Sequence, residues 1–214
     1  MTTPPKPLAA RHTYRHGDLR RALLDAGIEL ARAGGPDAVV LREATRRAGV
    51  APNAAYRHFD SRMALLQEVR AAALSAVARA MEAELATVPA DLPLADLARA
   101  SVRAVGTGYL RFAQAETGLF RTAFVASVDV ETLPGETRAG ASGLNPFELL
   151  GAALDKLVAA GVMPPERRPG AEFLAWSAVH GLAMLVIDGP LRNSLGPQMQ
   201  KVGQRLLDMV EKGL

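Results

Sequence analysis

Residues 38–66 read AVVLREATRRAGVAPNAAYRHFDSRMALL. Leu41–Ala48 has the spacing of a short helix, and Gly49 stops it at a position that suits a positive φ. Pro52 opens a second helix, expected over Pro52–Phe59, with proline in the tolerated first turn. Asp60 and Ser61 are both good N-caps for a third. Ala44 and Ala48 are small enough to let the first two helices approach. Val50, Ala55 and Phe59 fall on the inward side. Asn53, Ala54, Arg57 and His58 then face outward, with Tyr56 at the edge. Asparagine can pair with adenine, arginine with guanine, and an alanine methyl can meet a thymine methyl. Tyr56 and His58 can donate to phosphates. Arg42 and Arg62 lie in helical first turns, which also attract phosphate. The pattern is a helix-turn-helix, whose second helix fits the major groove of duplex DNA.

Outside this stretch the composition sets wide bounds. A chain of 214 residues can bury a large core. Helical periodicity recurs nearly throughout, and no Val/Ile/Thr-rich run sustains a period of two, so the chain is expected to be all-α. With no cysteine, disulfides, zinc-thiolate sites and thiol catalysis are excluded. The amino terminus has no apolar h-region, and the most apolar run, Ala171–Ile187, carries Glu172, Ser177 and His180. These features predict a cytoplasmic protein with no membrane span. Residues 1–62 hold eleven Lys/Arg against six Asp/Glu, whereas the remainder holds 14 against 16. A basic head on a slightly acidic body fits a DNA-binding module joined to one that does not bind DNA.

The coarse reading is a flexible arm over 1–13, then a helix from about Gly17 to Gly34. The helix begun at Asp60 or Ser61 extends to about Thr87, and further helices follow around 94–114, 118–126, 145–161, 170–188 and 197–212. A Gly/Thr/Ser-rich loop spans 128–144. The domains expected are 1–62, a three-helix DNA-binding unit, and 63–214, a larger helical body for effector binding and dimerisation. In the last helix Met199, Val202, Leu206 and Met209 form an apolar seam, with Gln200, Lys201, Gln204 and Glu211 outside. The helix before it is apolar nearly all round, which implies burial on more than one side.

The segment Gly17–Leu66 resembles the TetR family of transcriptional regulators. The resemblance rests on HGDLRRALLDAG, LREATRRAGV, and AAYRHF followed by DSRMALL. It implies phosphate contacts from Tyr56 and Arg62, and base contacts from Pro52, Asn53 and Ala54. Two departures stand out. Val40 occupies the place of a hydroxyl cap, a loss of about 1 kcal/mol that Glu43 or Asp37 is expected to offset. Thr45 replaces the usual alanine and is expected to add a phosphate or base contact. Downstream, FLAWSAVHGLAMLV (173–186) looks like the Trp…His-Gly signature of one subgroup of C-terminal domains, matched by Trp176, His180 and Gly181. Gly181 there is expected to permit close helix contact.

The resemblance implies a homodimer paired through its last two helices, a palindromic double-stranded DNA operator, and an unidentified small-molecule effector. Candidate effector contacts are Phe112, Phe120, Phe124, Trp176 and His180. The phenylalanines read equally as cavity lining or core filling, and Trp176 as core or pocket wall. His180 is either a core histidine bonded to a backbone carbonyl or a ligand contact. His12 and His16 are four apart but lack a carboxylate pair, so no metal is expected, and no cofactor. Basic residues of the arm (Lys6, Arg11, Arg15) either enter a minor groove or stay solvated. Rival classes are a small all-α enzyme and a constitutive DNA-binding protein without effector. The first lacks a dinucleotide fingerprint, a nucleophile elbow, a HExxH and a Walker lysine. The second does not need the long middle region.

Overall fold

A computed structural model describes residues 16–124, 135–195 and 198–214. The arm at 1–13, with its basic residues and His12, lies outside the described residues, as does most of the first half of the expected loop. Among the described residues there are nine α-helices and no strand. They are α1 (His16–Gly34), α2 (Leu41–Arg47), α3 (Pro52–Ala55), α4 (Arg62–Leu85), α5 (Leu94–Ala115), α6 (Thr117–Ala123), α7 (Pro146–Ala159), α8 (Ala171–Ile187) and α9 (Met199–Gly213). Short 3-10 turns occupy Pro36–Ala38, Gly135–Arg138 and Pro165–Arg167.

Local chemistry places several of these ends. Ser61, extended at φ −153°, accepts the Ala64 amide at 3.1 Å and starts α4. Asn145 accepts the amides of Phe147 and Glu148 at 2.9 and 3.0 Å, while the Glu148 carboxylate accepts the Asn145 amide, a reciprocal capping box for α7. Val40 caps α2 with no side-chain bond, and neither expected substitute stands in. Glu43 turns instead to Arg46 and Arg47, and Asp37 is 95% exposed and only 4.0 Å from Arg62. Packing therefore holds α2, through Leu41, Ala44 and Thr45.

Helices α4 and α5 form the spine. Gly108 of α5 allows their closest crossing, because a Cβ there would come within 2.6 Å of the Ala80 carbonyl oxygen and the Met81 Cα. α7 packs on α4 and α5, while α8 and α9 pack on α5. α6 lies between α4 and α1 and is the bridge to the helix-turn-helix unit. Its Gly118 sits so close to the end of α1 that a Cβ would lie 2.3 Å from the Ala31 carbonyl oxygen and 2.4 Å from that of Arg32. The Arg32–Glu116 ion pair at 2.9 Å crosses the same seam.

Within one chain α9 leaves most of the seam expected for dimer pairing uncovered. It buries Met199, Gly203 and Leu207, leaving Val202 and Leu206 half-buried and Met209 exposed. Glu211, expected outside, turns to α5, where its carboxylate pairs with Arg103 at 2.6 Å and Arg99 at 3.4 Å. This non-local ion pair ties the end of α9 to α5. α8 buries Ala171, Ala175, Val179, Leu182 and Ala183 on one side. Its other side leaves Phe173, Leu174 and Leu185 exposed, so within one chain it is covered on a single face. Gly181 makes no close contact here, since a Cβ would meet nothing within 4 Å.

Candidate nucleic-acid interface and enclosed cavity

Gly49 makes the turn between α2 and α3 at φ 69°, in the region that favours glycine, and the Val50 amide closes it by donating to the Thr45 carbonyl at 3.0 Å. α3 is shorter than expected. Its regular part ends at Ala55, whose carbonyl accepts the amides of both His58 and Phe59 at 2.9 Å. That shared acceptor tightens the end, so Tyr56, Arg57 and His58 lie on turns rather than on the expected helix. Ala55 and Phe59 are buried against the core.

Pro52, Asn53, Tyr56, Arg57 and Arg42 are exposed, and Ala54 and His58 are half-buried. Tyr56 is 58% exposed, an unusual position for a tyrosine without a partner. Arg42 and Arg57 form no ion pair with any described residue. Arg46 differs: it grips Glu43 through two bonds of 2.6 and 2.8 Å, and that hydrogen bonding holds the Glu43 carboxyl at about 2.

One expected DNA contact is corrected, and a second residue also serves the protein's own backbone. Thr45 is only 1% exposed, and its hydroxyl donates to the Arg42 carbonyl at 2.7 Å. Leu41, Ala44 and Thr45 share the inward stripe of α2, so the threonine faces the core rather than a groove. The Arg62 guanidinium donates to the carbonyls of Val39 and Pro36, each at 2.8 Å. It ties the start of α4 to the turn before α2, while the side chain itself stays exposed.

The helical body holds a partly open apolar cavity of about 90 Å³. Leu74 and Met81 of α4 line one side, and Val105 and Tyr109 of α5 another. Phe124, Leu150, Trp176 and Val179 complete much of the rest. Of the five expected effector residues, Phe124 and Trp176 face this cavity. Phe112, Phe120 and His180 do not: Phe112 and Phe120 are core, at 7% and 0% exposure.

Tyr109, which no local pattern marks, is the centre of the buried polar chemistry. The Trp176 indole Nε1–H donates to its hydroxyl at 3.1 Å, and that hydroxyl lies 2.8 Å from His180 Nδ1. Indole is a donor only, so the tyrosine proton is available for Nδ1, which requires the Nε2–H tautomer of a neutral imidazole. His180 thus bonds a side-chain hydroxyl where a backbone carbonyl was expected. Phe120 meets Tyr109 edge-on at 5.3 Å, and Phe124 lies 5.1 Å from the His180 ring.

Burial holds the His180 imidazole below its ordinary value of 6.5. Burial also pushes the Tyr109 phenol well above its usual range, the Trp176 bond offsetting only part. The folded chain therefore takes up the His180 proton less readily than the unfolded chain. The stability that neutral His180 contributes is whole above about pH 6.5 and is lost as pH falls below it. Thermal melts between about pH 7 and about pH 5 should show wild type losing more stability than His180→Gln. Equal losses would remove this role.

Cavity and DNA-facing tip are joined by a short path. Arg70 of α4, 3% exposed, donates to the carbonyl of Ala123 at 3.1 Å, and Ala123 precedes the cavity residue Phe124. α6 then abuts α1 through Gly118.

An exposed helix-turn-helix tip, carried by a long helix into a body of further helices, defines a DNA-binding transcription regulator. The model for bacterial regulatory proteins of the tetR family matches residues 23–69, and that for the tetracyclin repressor-like C-terminal domain matches residues 102–210. The chain belongs to the TetR family. Among solved structures, a protein of unknown function from Rhodococcus sp. RHA1 is 24% identical with a TM-score of 0.73, over 95% of this chain and 99% of that one. The TetR family transcriptional regulator PfmR from Thermus thermophilus is 21% identical, TM-score 0.58, over 90% and 98%. The transcriptional regulator FadR from Bacillus subtilis, in complex with stearoyl-CoA, is 12% identical, TM-score 0.65, over 91% and 98%. No curated protein sequence matches the chain. No described helix is long and apolar enough to cross a membrane, and no described group of three His, Cys, Asp or Glu is placed to hold a metal.

Proposed function

We propose that this chain is a ligand-responsive repressor that binds a palindromic operator as a homodimer in the cytoplasm. Residues 1–62 are the DNA-binding domain and 63–214 the effector-binding and dimerisation domain. The observation that carries this reading is the linkage of an apolar cavity in the helical body to the recognition segment through α4 and α6. An effector that binds the DNA-incompetent arrangement more tightly than the competent one shifts the population between them. The FadR structure with stearoyl-CoA supports a small-molecule effector in this architecture.

The bare face of α8 supports the homodimer. Phe173, Leu174 and Leu185 form an apolar patch, and Gly181, with open space over its Cα, lets a second helix approach between them. Burying this patch against its twofold copy also brings in Met209 and the half-buried edge of α9.

Asn53, Arg57 and Ala54 read bases, Pro52 sets the start of the reading segment, and Arg42, Tyr56 and His58 hold phosphates. Arg62 braces the start of α4 against the turn before α2, and its exposed edge meets a phosphate. The test is selection of bound sequences from a random duplex pool, followed by gel shift of the best site. Recovery of a sequence with dyad symmetry supports the reading; no enrichment sinks it. Arg57→Ala should relax preference at one or two positions per half-site, at about 1–3 kcal/mol, while Arg42→Ala should weaken all sequences alike and reduce the salt dependence. A uniform loss for Arg57→Ala counts against base reading.

A further inference from the structure

Leu41, Ala44 and Thr45 face the core, so the charged residues of α2 fall on its outer side, and helical spacing sorts them. Arg42 and Arg46 are four residues apart and lie one above the other. With Val40, Val50 and Pro52 they line one groove, at the first turn of α3. Arg47 points elsewhere, to a groove shared with Asp25 and Glu29 of α1.

Arg46 is held in a fixed attitude. Its Nε donates to Glu43 Oε2 at 2.8 Å and its Nη2 to Glu43 Oε1 at 2.6 Å, so guanidinium and carboxylate meet side by side. Balancing charge needs one such bond; two fix the plane of the guanidinium. Arg47 reaches the same carboxylate once, at 3.4 Å. The Arg46 side chain is nevertheless 72% exposed, against 33% for Glu43, so the arginine stands outermost. Its Nη1 group and the second hydrogen of Nη2 form the end of the fork, and no described residue takes them. With its carboxyl held at about 2, Glu43 stays ionised throughout the neutral range.

We infer that Arg46 reads a guanine edge in each half-site, with Glu43 as the positioning residue behind it. This rests on the reading of Arg42 and Pro52 as DNA-facing. The end of an arginine fork matches O6 and N7 of guanine, and side-on pairing with a carboxylate leaves that end intact. Adenine presents its N6 amino group in place of O6, so a donor would meet a donor. A free arginine gives up rotamer freedom when it meets a base, whereas Arg46 has given it up already in the folded chain. Charge favours base over phosphate. A lone guanidinium gains by releasing counterions, but Arg46 and Glu43 together are neutral, and a phosphate brought to them would also approach a carboxylate. The pair therefore supplies discrimination, and the neighbouring Arg42, which has no such carboxylate, supplies affinity.

The test is selection from a random duplex pool with full-length wild type, Arg46→Ala, Arg46→Lys, Glu43→Gln and Arg47→Ala, followed by gel shift of the best site across a salt series. Arg46→Ala should lose one enriched guanine per half-site, at a position other than those that depend on Arg57. The rest of the motif should stay, affinity for the best site should fall roughly tenfold, and the salt slope should not change. Arg46→Lys should keep only part of the preference, and Arg47→Ala all of it. Glu43→Gln should bind every sequence more tightly at low salt, with a slope steeper by about one counterion per half-site and a weaker guanine preference. Replacing that guanine by 7-deazaguanine should weaken wild type several-fold and Arg46→Ala not at all, a comparison that needs no altered fold. An unchanged motif for Arg46→Ala overturns the inference, as does a uniform loss with a flatter salt slope, which would make Arg46 a phosphate contact. Glu43→Gln with preference and slope both unaltered overturns the positioning role. A wild-type pool with no enrichment sinks the regulator reading and this inference together; a symmetric site that Arg46→Ala still selects in full sinks this inference alone.

Discussion

Phe59→Ala is expected to destabilise the helix-turn-helix unit by about 3–5 kcal/mol and to abolish selective DNA binding. Phe59 is 2% exposed and among the largest fully buried side chains. It stands where the turns after α3 meet the cap of α4, and its amide shares the Ala55 carbonyl with His58. The Arg20 guanidinium sits 5.2 Å from its ring centroid. Truncation leaves a void beneath the residues assigned to base reading, and whole domains are stable by only about 5–15 kcal/mol. The effect should be local, with the Trp176 emission of the folded body unchanged while gel-shift activity disappears. Wild-type melting together with intact operator binding would show that the recognition segment does not depend on this ring.

Gly118→Ala is expected to have the next largest effect, at the upper end of about 1–3 kcal/mol. Its methyl would strike two backbone oxygens, of Ala31 and Arg32, rather than a flexible side chain. Backbone in the middle of a seam cannot swing aside, so α6 must withdraw from α1. The Arg32–Glu116 pair would lengthen with it. Thermal melting should show the loss, and operator affinity should fall although no residue of the tip has changed. Gly213→Ala is the matched comparison, since its methyl meets nothing within 4 Å. A Gly118→Ala protein as stable as Gly213→Ala would show that the two units are not held at this point.

Signals within a few residues of each other were legible in the sequence. Ser61, Gly49 and the Asn145–Pro146 start all act locally, and the helix ends lie near the places their chemistry requires. The inward position of Thr45 was also in the pattern, because Leu41, Ala44 and Thr45 recur at helical spacing. Interactions between distant residues were not legible. Tyr109 is 67 residues from Trp176 and 71 from His180, so nothing near it announces its partners. The inward turn of Glu211 to Arg103, 108 residues away, was equally invisible in the local pattern of α9. Arg138 stood in a Gly-rich stretch that read only as a connection, and its place on a cavity wall depends on the packing of α4, α5 and α7. The shortened α3 reflects a single carbonyl shared by two amides, which no propensity reports.

Helix α4 runs for 24 residues without a glycine or proline and is rich in alanine. It is therefore a stiff rod about 36 Å long, and pivoting it by about 5° at one end carries the other through about 3 Å. In the ligand-responsive reading proposed above, such a lever needs neither a hinge nor unfolding to carry a small adjustment at the cavity to Arg62.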